Sequence, residues 1–175
     1  MANSFWNNIF EKNGNQQLNF FAVLRQVPIF KDLKKGELRE FKKIIHKRYY
    51  KKDEIIFFDG EPGVGMYIIE TGTIGIYKDF EGEAKEELAV LKSGDFIGEM
   101  ALLDDSPRSA TAVALENTHL LGLFRPDLFG LLERKPRLGN EILLKLAQMI
   151  AERLRLTNME LQHAKQNLET EEIIR

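Results

Sequence analysis

The chain changes its hydrophobic period twice. Up to about His46 the apolar positions recur at helical spacing. In Ser4 to Phe10, Phe5, Trp6, Ile9 and Phe10 share one side of a helix, which Lys12, Asn13, Gly14 and Asn15 break. So apolar a short helix must cover its own domain, a partner chain or a membrane surface; protein is the expectation, because a helix lying on a membrane surface usually carries lysine or arginine on its polar side. Gln17 to Gln26 gives a second helix, with Leu18, Phe21, Ala22 and Leu24 on its stripe. Pro28 ends it, since the residue before a proline is pushed away from helical angles. A third helix runs from Lys34 to about His46; Leu38, Phe41, Ile44 and Ile45 form its buried face, and the lysines and arginine opposite read as a solvated face.

The period then shortens to that of strands. Arg48 to Lys51, Ile55 to Phe58, Met66 to Glu70, Thr73 to Lys78, Leu88 to Leu91, Phe96-Ile97, a run starting at Arg108, and Thr118 to Phe124 are predicted strands. Turn clusters separate them, among them Asp59 to Gly65, Gly72, the charged hairpin tip Phe80 to Glu86, and Ser93-Gly94-Asp95. Short strands at regular spacing with glycine turns predict a barrel or jelly roll. Helical spacing returns at Asp127 to Glu133, with Leu128, Phe129, Leu131 and Leu132 apolar. After Pro136 a long helix runs to near the end. Ala147, Leu154, Leu161 and Leu168 recur every seven residues, interleaved with Leu143, Ile150, Thr157 and Ala164, and Glu160 and Lys165 flank this seam. That heptad pattern predicts a homodimer through the helix, with packing on the chain's own domain as the alternative and both uses compatible over Leu143 to Leu154. The fold class expected is α+β with a mainly β core: a jelly-roll-like β-roll of about eight strands, flanked by N-terminal helices and a long C-terminal helix. Residues 1–26 form a helical extension, 27–135 the β-roll domain, and 136–175 the long helix.

Composition narrows the function. The 175 residues are 43% hydrophobic with a formal net charge of −2, so bulk charge advertises neither nucleic acid nor an anionic membrane. The absence of cysteine removes disulfides, thiolate metal sites and cysteine nucleophiles. No basic, apolar leader opens the chain, and no run approaches the roughly 18 apolar residues of a membrane span. A cytoplasmic protein is the expectation.

The chemistry concentrates in Phe96 to Ala114. Gly98 allows a tight bend from strand into one helical turn, Glu99 to Leu103, and a polar turn (Asp104, Asp105, Ser106, Pro107) leads to Arg108. The opening N–H groups of a helical turn lack internal partners and suit a phosphate. Arg108 supplies a planar cation, while Ala110, Ala112 and Ala114 on one strand face leave room. Glu99 would repel a phosphate, but it accepts from hydroxyl groups, so the pair selects a phosphate attached to a sugar, with Arg108 holding both anions.

Here G-E-M-A-L-L followed by S-P-R-S-A-T-A resembles the phosphate-binding cassette of the cyclic nucleotide-binding domain family, which includes the catabolite activator protein and the regulatory subunits of protein kinase A. The early hairpin, G-x-x-G-x-x-M-Y-I-I-E-T-G-T-I-G-I, and the P-I-F-K-D-L lead-in are also similar to it, so the resemblance covers about Val27 to Glu133. It implies that Glu99 takes the ribose 2′-hydroxyl and Arg108 the cyclic phosphate. Gly98, Glu99, Met100, Ala101, Arg108 and Ser109 are then the contact positions. In the family, threonine after the arginine tends to accompany guanine; Ser109 is compatible with either base, and the expected ligand leans to cAMP over cGMP. The residue covering the base would come from the long helix, where no candidate stands out. The alternative reading is a structural dimerisation module whose pocket no longer binds a cyclic nucleotide.

Other chemistries fit poorly. His46, His119 and His163 lie on three different elements without ligand spacing, so no metal is expected. His46, read as closing the third helix, would complement its dipole. Asp104-Asp105 before Ser-Pro reads as a turn, and no activated serine is visible, so the expectation is a non-enzyme. Many family members carry a DNA-binding helix-turn-helix after the long helix. The acidic E-T-E-E-I-I-R at the end here is too short for one, so the expectation is a sensor without a DNA-binding or catalytic output domain, acting on an unknown effector protein.

Overall fold

The computed structural model describes residues 15–78, 80 and 86–174. The expected Ser4 to Phe10 helix and most of the 80–86 hairpin tip lie outside them. In order come α1 (Asn15–Leu24), a 3₁₀ turn (Pro28–Phe30), α2 (Lys35–Lys42), β1 (Ile45–Tyr50), β2 (Ile55–Phe57), β3 (Gly65–Thr71), β4 (Thr73–Lys78), β5 (Glu86–Lys92) and β6 (Phe96–Ile97). A second 3₁₀ turn (Glu99–Leu102), β7 (Thr111–Ala114), β8 (Thr118–Phe124), α3 (Arg125–Arg134) and α4 (Pro136–Ile174) follow. The eight strands form two four-stranded antiparallel sheets, ordered β1-β8-β3-β6 and β2-β7-β4-β5. This is the expected jelly roll.

The alternation of side chains across β3 and β8 explains why the helices stay attached. Met66, Ile68, Leu121 and Leu123 face a core shared with Leu24, Phe30, Phe41, Leu128 and Ile142 of the helical segments. Tyr67, Ile69 and Leu120 point the other way, into the roll, with Ile74, Ile97 and Ala112. β3 is thus buried on both faces, which is why M-Y-I-I reads as a continuous apolar run rather than an alternating one.

Several boundaries differ from the sequence reading, and three of them have a clear structural cause. The third helix ends at Lys42, because Ile45 is already paired with Leu123 in the β1–β8 ladder. The gain from a complete strand outweighs one more helical turn, so His46 does not cap a helix. It sits on β1 with Nε2 2.9 Å from Asp127 Oδ2. The last strand before Thr118 starts at Thr111, not at Arg108: the preceding residues are pinned to the 60–62 loop by Arg108 N–H to Glu61 carbonyl (2.8 Å) and Gly60 N–H to Arg108 carbonyl (2.8 Å). Finally, α3 starts at Arg125, with Pro126 in its first turn, where a missing N–H costs nothing. Its Leu128 and Leu131 are buried, but Phe129 is not.

The long helix uses two faces. Leu138, Ile142 and Leu146 are buried in the shared core, and Lys145 Nζ lies 2.5 Å from Asp32 Oδ2 beside the first 3₁₀ turn. The heptad leucines Leu143, Leu154 and Leu161 face outward, 37%, 59% and 52% exposed. The intramolecular contact therefore leaves these three leucines of the heptad seam exposed.

Candidate functional site

Between the β4–β5 side of the roll and the 99–102 turn lies a cavity of about 300 Å³. All six residues singled out in the sequence line it: Gly98, Glu99, Met100, Ala101, Arg108 and Ser109. Ile76, Ala89 and Leu91 give it an apolar floor, and Ala110 borders it, whereas Ala112 and Ala114 are fully buried.

The bend into the turn depends on Gly98. Its φ is +74°, a left-handed value that side chains disfavour. A Cβ there would also stand 2.0 Å from Arg108 Nη1 and 3.2 Å from the Gly65 carbonyl oxygen. The backbone thus gives way to the guanidinium. The Ala101 N–H turns back to the Gly98 carbonyl at 3.2 Å, which leaves the Glu99 and Met100 amides ahead of the turn's first internal bond.

Arg108 is 7% exposed. Its Nη2 donates to the Gly65 carbonyl at 2.8 Å, its Nη1 weakly to Gly98 at 3.4 Å, and its Cζ lies 4.3 Å from the centre of the Phe57 ring. Its Nε is buried and makes no hydrogen bond. Burial pushes the Arg108 pKa below its ordinary value, opposed by Tyr67, Glu61 and Glu99, but a guanidinium stays charged. The wall of the cavity therefore holds a buried cation with a spare donor and, among the described residues, no carboxylate paired to it.

Glu99 is 2% exposed, and the expectation that Arg108 holds it is corrected by the structure. Arg153 of α4 makes the ion pair with Glu99, reaching over the ring of Phe96 at 5.8 Å. Met100 is half exposed, Ala101 is buried, and Ser109 is exposed with its carbonyl accepting from Lys78 Nζ at 3.2 Å. Arg153 is the site residue that sequence reasoning missed. Nothing in R-L-R-L separates it from Arg155, which pairs locally with Glu152. Only the path of α4 over β6 brings the first of the two to the cavity.

Among the described residues no cluster of histidines and carboxylates could hold a metal, and no helix is long and apolar enough to cross a membrane. The site is a pocket in a β-roll with Glu99, Asp104, Arg108 and Arg153 in its lining. Residues 47–135 match the cyclic nucleotide-binding domain, and the chain belongs to that family. The cyclic AMP receptor protein of Thermus thermophilus is 36% identical over 134 residues, covering 77% of this chain and 60% of its own length. The N-terminal domain of a transcriptional regulator from Streptomyces coelicolor superposes with a TM-score of 0.68 at 30% identity, covering 79% of this chain and 94% of that one. The regulatory domain of Toxoplasma gondii PKA, crystallised with cAMP, gives a TM-score of 0.61 at 27% identity, covering 69% and 46%. The chain thus spans 60% of the length of the receptor protein and less than half of the Toxoplasma domain.

Proposed function

We propose that this chain is a non-enzymatic sensor of cyclic nucleotides, preferring cAMP to cGMP, with Gly98, Glu99, Met100, Ala101, Arg108 and Ser109 as its contacts. The observation that carries the reading is the Arg108 Nε: a buried donor on a buried cation, bordering a cavity and lacking an acceptor. A phosphate oxygen completes it, and the Glu99 and Met100 amides supply further donors to the same anion. Glu99, acceptor-only when ionised, takes the sugar hydroxyl, and Arg153 offsets its charge so that it need not repel the phosphate. The apolar floor of Ile76, Ala89 and Leu91 suits a purine ring. The preference for adenine rests on Ser109 and on cAMP in the names of two relatives.

The roll, residues 27–135, is the receptor in this reading, with 1–26 a helical extension and 136–175 the element that reports occupancy. As Arg108 and the turn close on the phosphate, α3 re-packs and moves the base of α4, changing what an effector protein sees. A second copy of the chain joins through the exposed heptad leucines. Calorimetric titration with cAMP and cGMP tests the reading: one binding event per chain is expected, tighter for cAMP. Absence of heat with either nucleotide at millimolar concentration overturns it, and equal affinities overturn the adenine preference alone.

A further inference from the structure

One side chain outside the cavity lining fastens together the backbone segments that form the seat. Arg125 is the first residue of α3. Its Nε donates to the Ala101 carbonyl at 3.0 Å, and its Nη2 to the Gly63 carbonyl at 2.9 Å and to the Asp104 carbonyl; Nη1 pairs with the Asp105 carboxylate. Its own N–H donates to the Val64 carbonyl at 2.9 Å. The Ala101 and Asp104 carbonyls lie at the C-terminal end of the 99–102 turn, where helical partners run out. Gly63 presses on the same turn, since a Cβ there would stand 2.7 Å from Ala101 Cβ and 2.9 Å from the Ser106 carbonyl oxygen.

We propose that Arg125 is the positioning residue of the nucleotide site, fixing the turn from behind and transmitting its displacement to α3. The inference rests on the cyclic nucleotide reading above. Its logic is mechanical. A shift of the Ala101 carbonyl must either break its bond to Arg125 or move the start of α3, and α3 is packed through Leu128 and Leu131 into the core that also holds the base of α4. Breaking the bond is costly, because the same guanidinium is committed to the Gly63 and Asp104 carbonyls. A lysine cannot substitute, since one ammonium lacks the planar fork that spans separated acceptors.

The test uses the full chain with Arg125→Lys and Arg125→Gln, read by cAMP calorimetry and by amide hydrogen exchange with and without saturating cAMP. Both variants should bind cAMP more weakly, by a factor in the range of about 5 to 150 typical of coupled sites. At saturation the amides of 99–103 should gain protection as in the parent, while those of α3 gain none. A merely structural arginine would lower the stability of the unliganded chain yet leave the ligand-linked protection of α3 intact, and that result overturns the proposal. So does unchanged affinity in both variants. Should Arg125→Gln fail to fold, Arg125→Lys alone decides. If the parent binds neither cAMP nor cGMP, the site reading and this inference fall together; if it binds and the variants match it, only the inference falls.

Discussion

Replacing Arg108 by methionine separates the two jobs this side chain could have, and the structure sets the size of each. In the unliganded chain the change orphans the Gly65 carbonyl, at a cost of about 1–3 kcal/mol. It also loses the stacking on Phe57, worth about 0.5–2 kcal/mol. Against these stands relief from burying a cation with no paired anion, a penalty of several kcal/mol in ordinary proteins. The opposing terms nearly cancel, so the unliganded variant should unfold within about 2 kcal/mol of the parent. Binding behaves differently. Truncating one partner of a buried, hydrogen-bonded charge pair costs about 2–5 kcal/mol, or roughly 30- to 5,000-fold in affinity. Nucleotide at a hundredfold over the parent's Kd adds about 2.7 kcal/mol, which at this chain length raises Tm by roughly 5–11 °C. At that concentration the variant sits at no more than about three times its own Kd and gains at most about 0.8 kcal/mol. Thermal melts of both proteins with and without cAMP check all of this. A full shift in Arg108→Met, or an unliganded variant destabilised well beyond that margin, would show that the guanidinium is a structural pin rather than a cation waiting for an anion.

Gly98→Ala should cost about 1–2 kcal/mol of stability from its left-handed φ and push the Arg108 guanidinium aside, so an unaltered cAMP isotherm would contradict the geometry. Burial pushes the Tyr50 phenol up to about 12, with its neighbour Tyr67 acting in the same direction. Because the folded value lies above the ordinary one near 10, Tyr50's contribution to stability is intact below pH 10 and is lost as the pH rises toward 12. A phenolate absorbance titration of folded protein should show a late-ionising tyrosine that Tyr50→Phe removes. Leu154→Glu and Leu161→Glu alter exposed heptad positions without touching the shared core. Sedimentation should report a smaller particle than the parent's, and equal masses would remove the case for dimerisation through α4.

How much of this was legible beforehand depended on how local each cause was. Gly98 and Arg108 were legible only as a pair, because a Gly-Glu bend or a Pro-Arg step alone says little, and their separation with the apolar residues between them carries the reading. β3 was legible as an apolar run because burial on both faces leaves it little freedom in composition. The end of α2 was not, since Ile44 and Ile45 satisfy a helical stripe and a β1 register equally well, and only the ladder to β8 decides between them. Arg125 and Arg153 were invisible for a deeper reason. Each acts 24 and 54 residues away from its partner on the cassette, Ala101 and Glu99 respectively, and long-range pairing leaves no trace in spacing or composition.

Under the proposed reading, Arg108, Arg125 and Arg153 together account for how a turn of four residues serves as a sensor. Glu99–Leu102 is too short to hold its own shape, since a single helical turn fixes many dihedrals for one internal hydrogen bond. Its shape is imposed from outside: Arg108 at its opening, Arg125 at its closing carbonyls, and Arg153 on the Glu99 side chain. Of these guanidiniums, only Arg108 retains a buried nitrogen without an acceptor. An anion therefore adds force at one end of the turn, while the other two attachments lead to α3 and α4. The strands beyond are held in antiparallel ladders and resist displacement, whereas the helices meet the roll through side-chain packing that can shift. A ligand biases an equilibrium only as far as it prefers one arrangement, and under the proposed reading that preference is expressed in the helices rather than in the sheets.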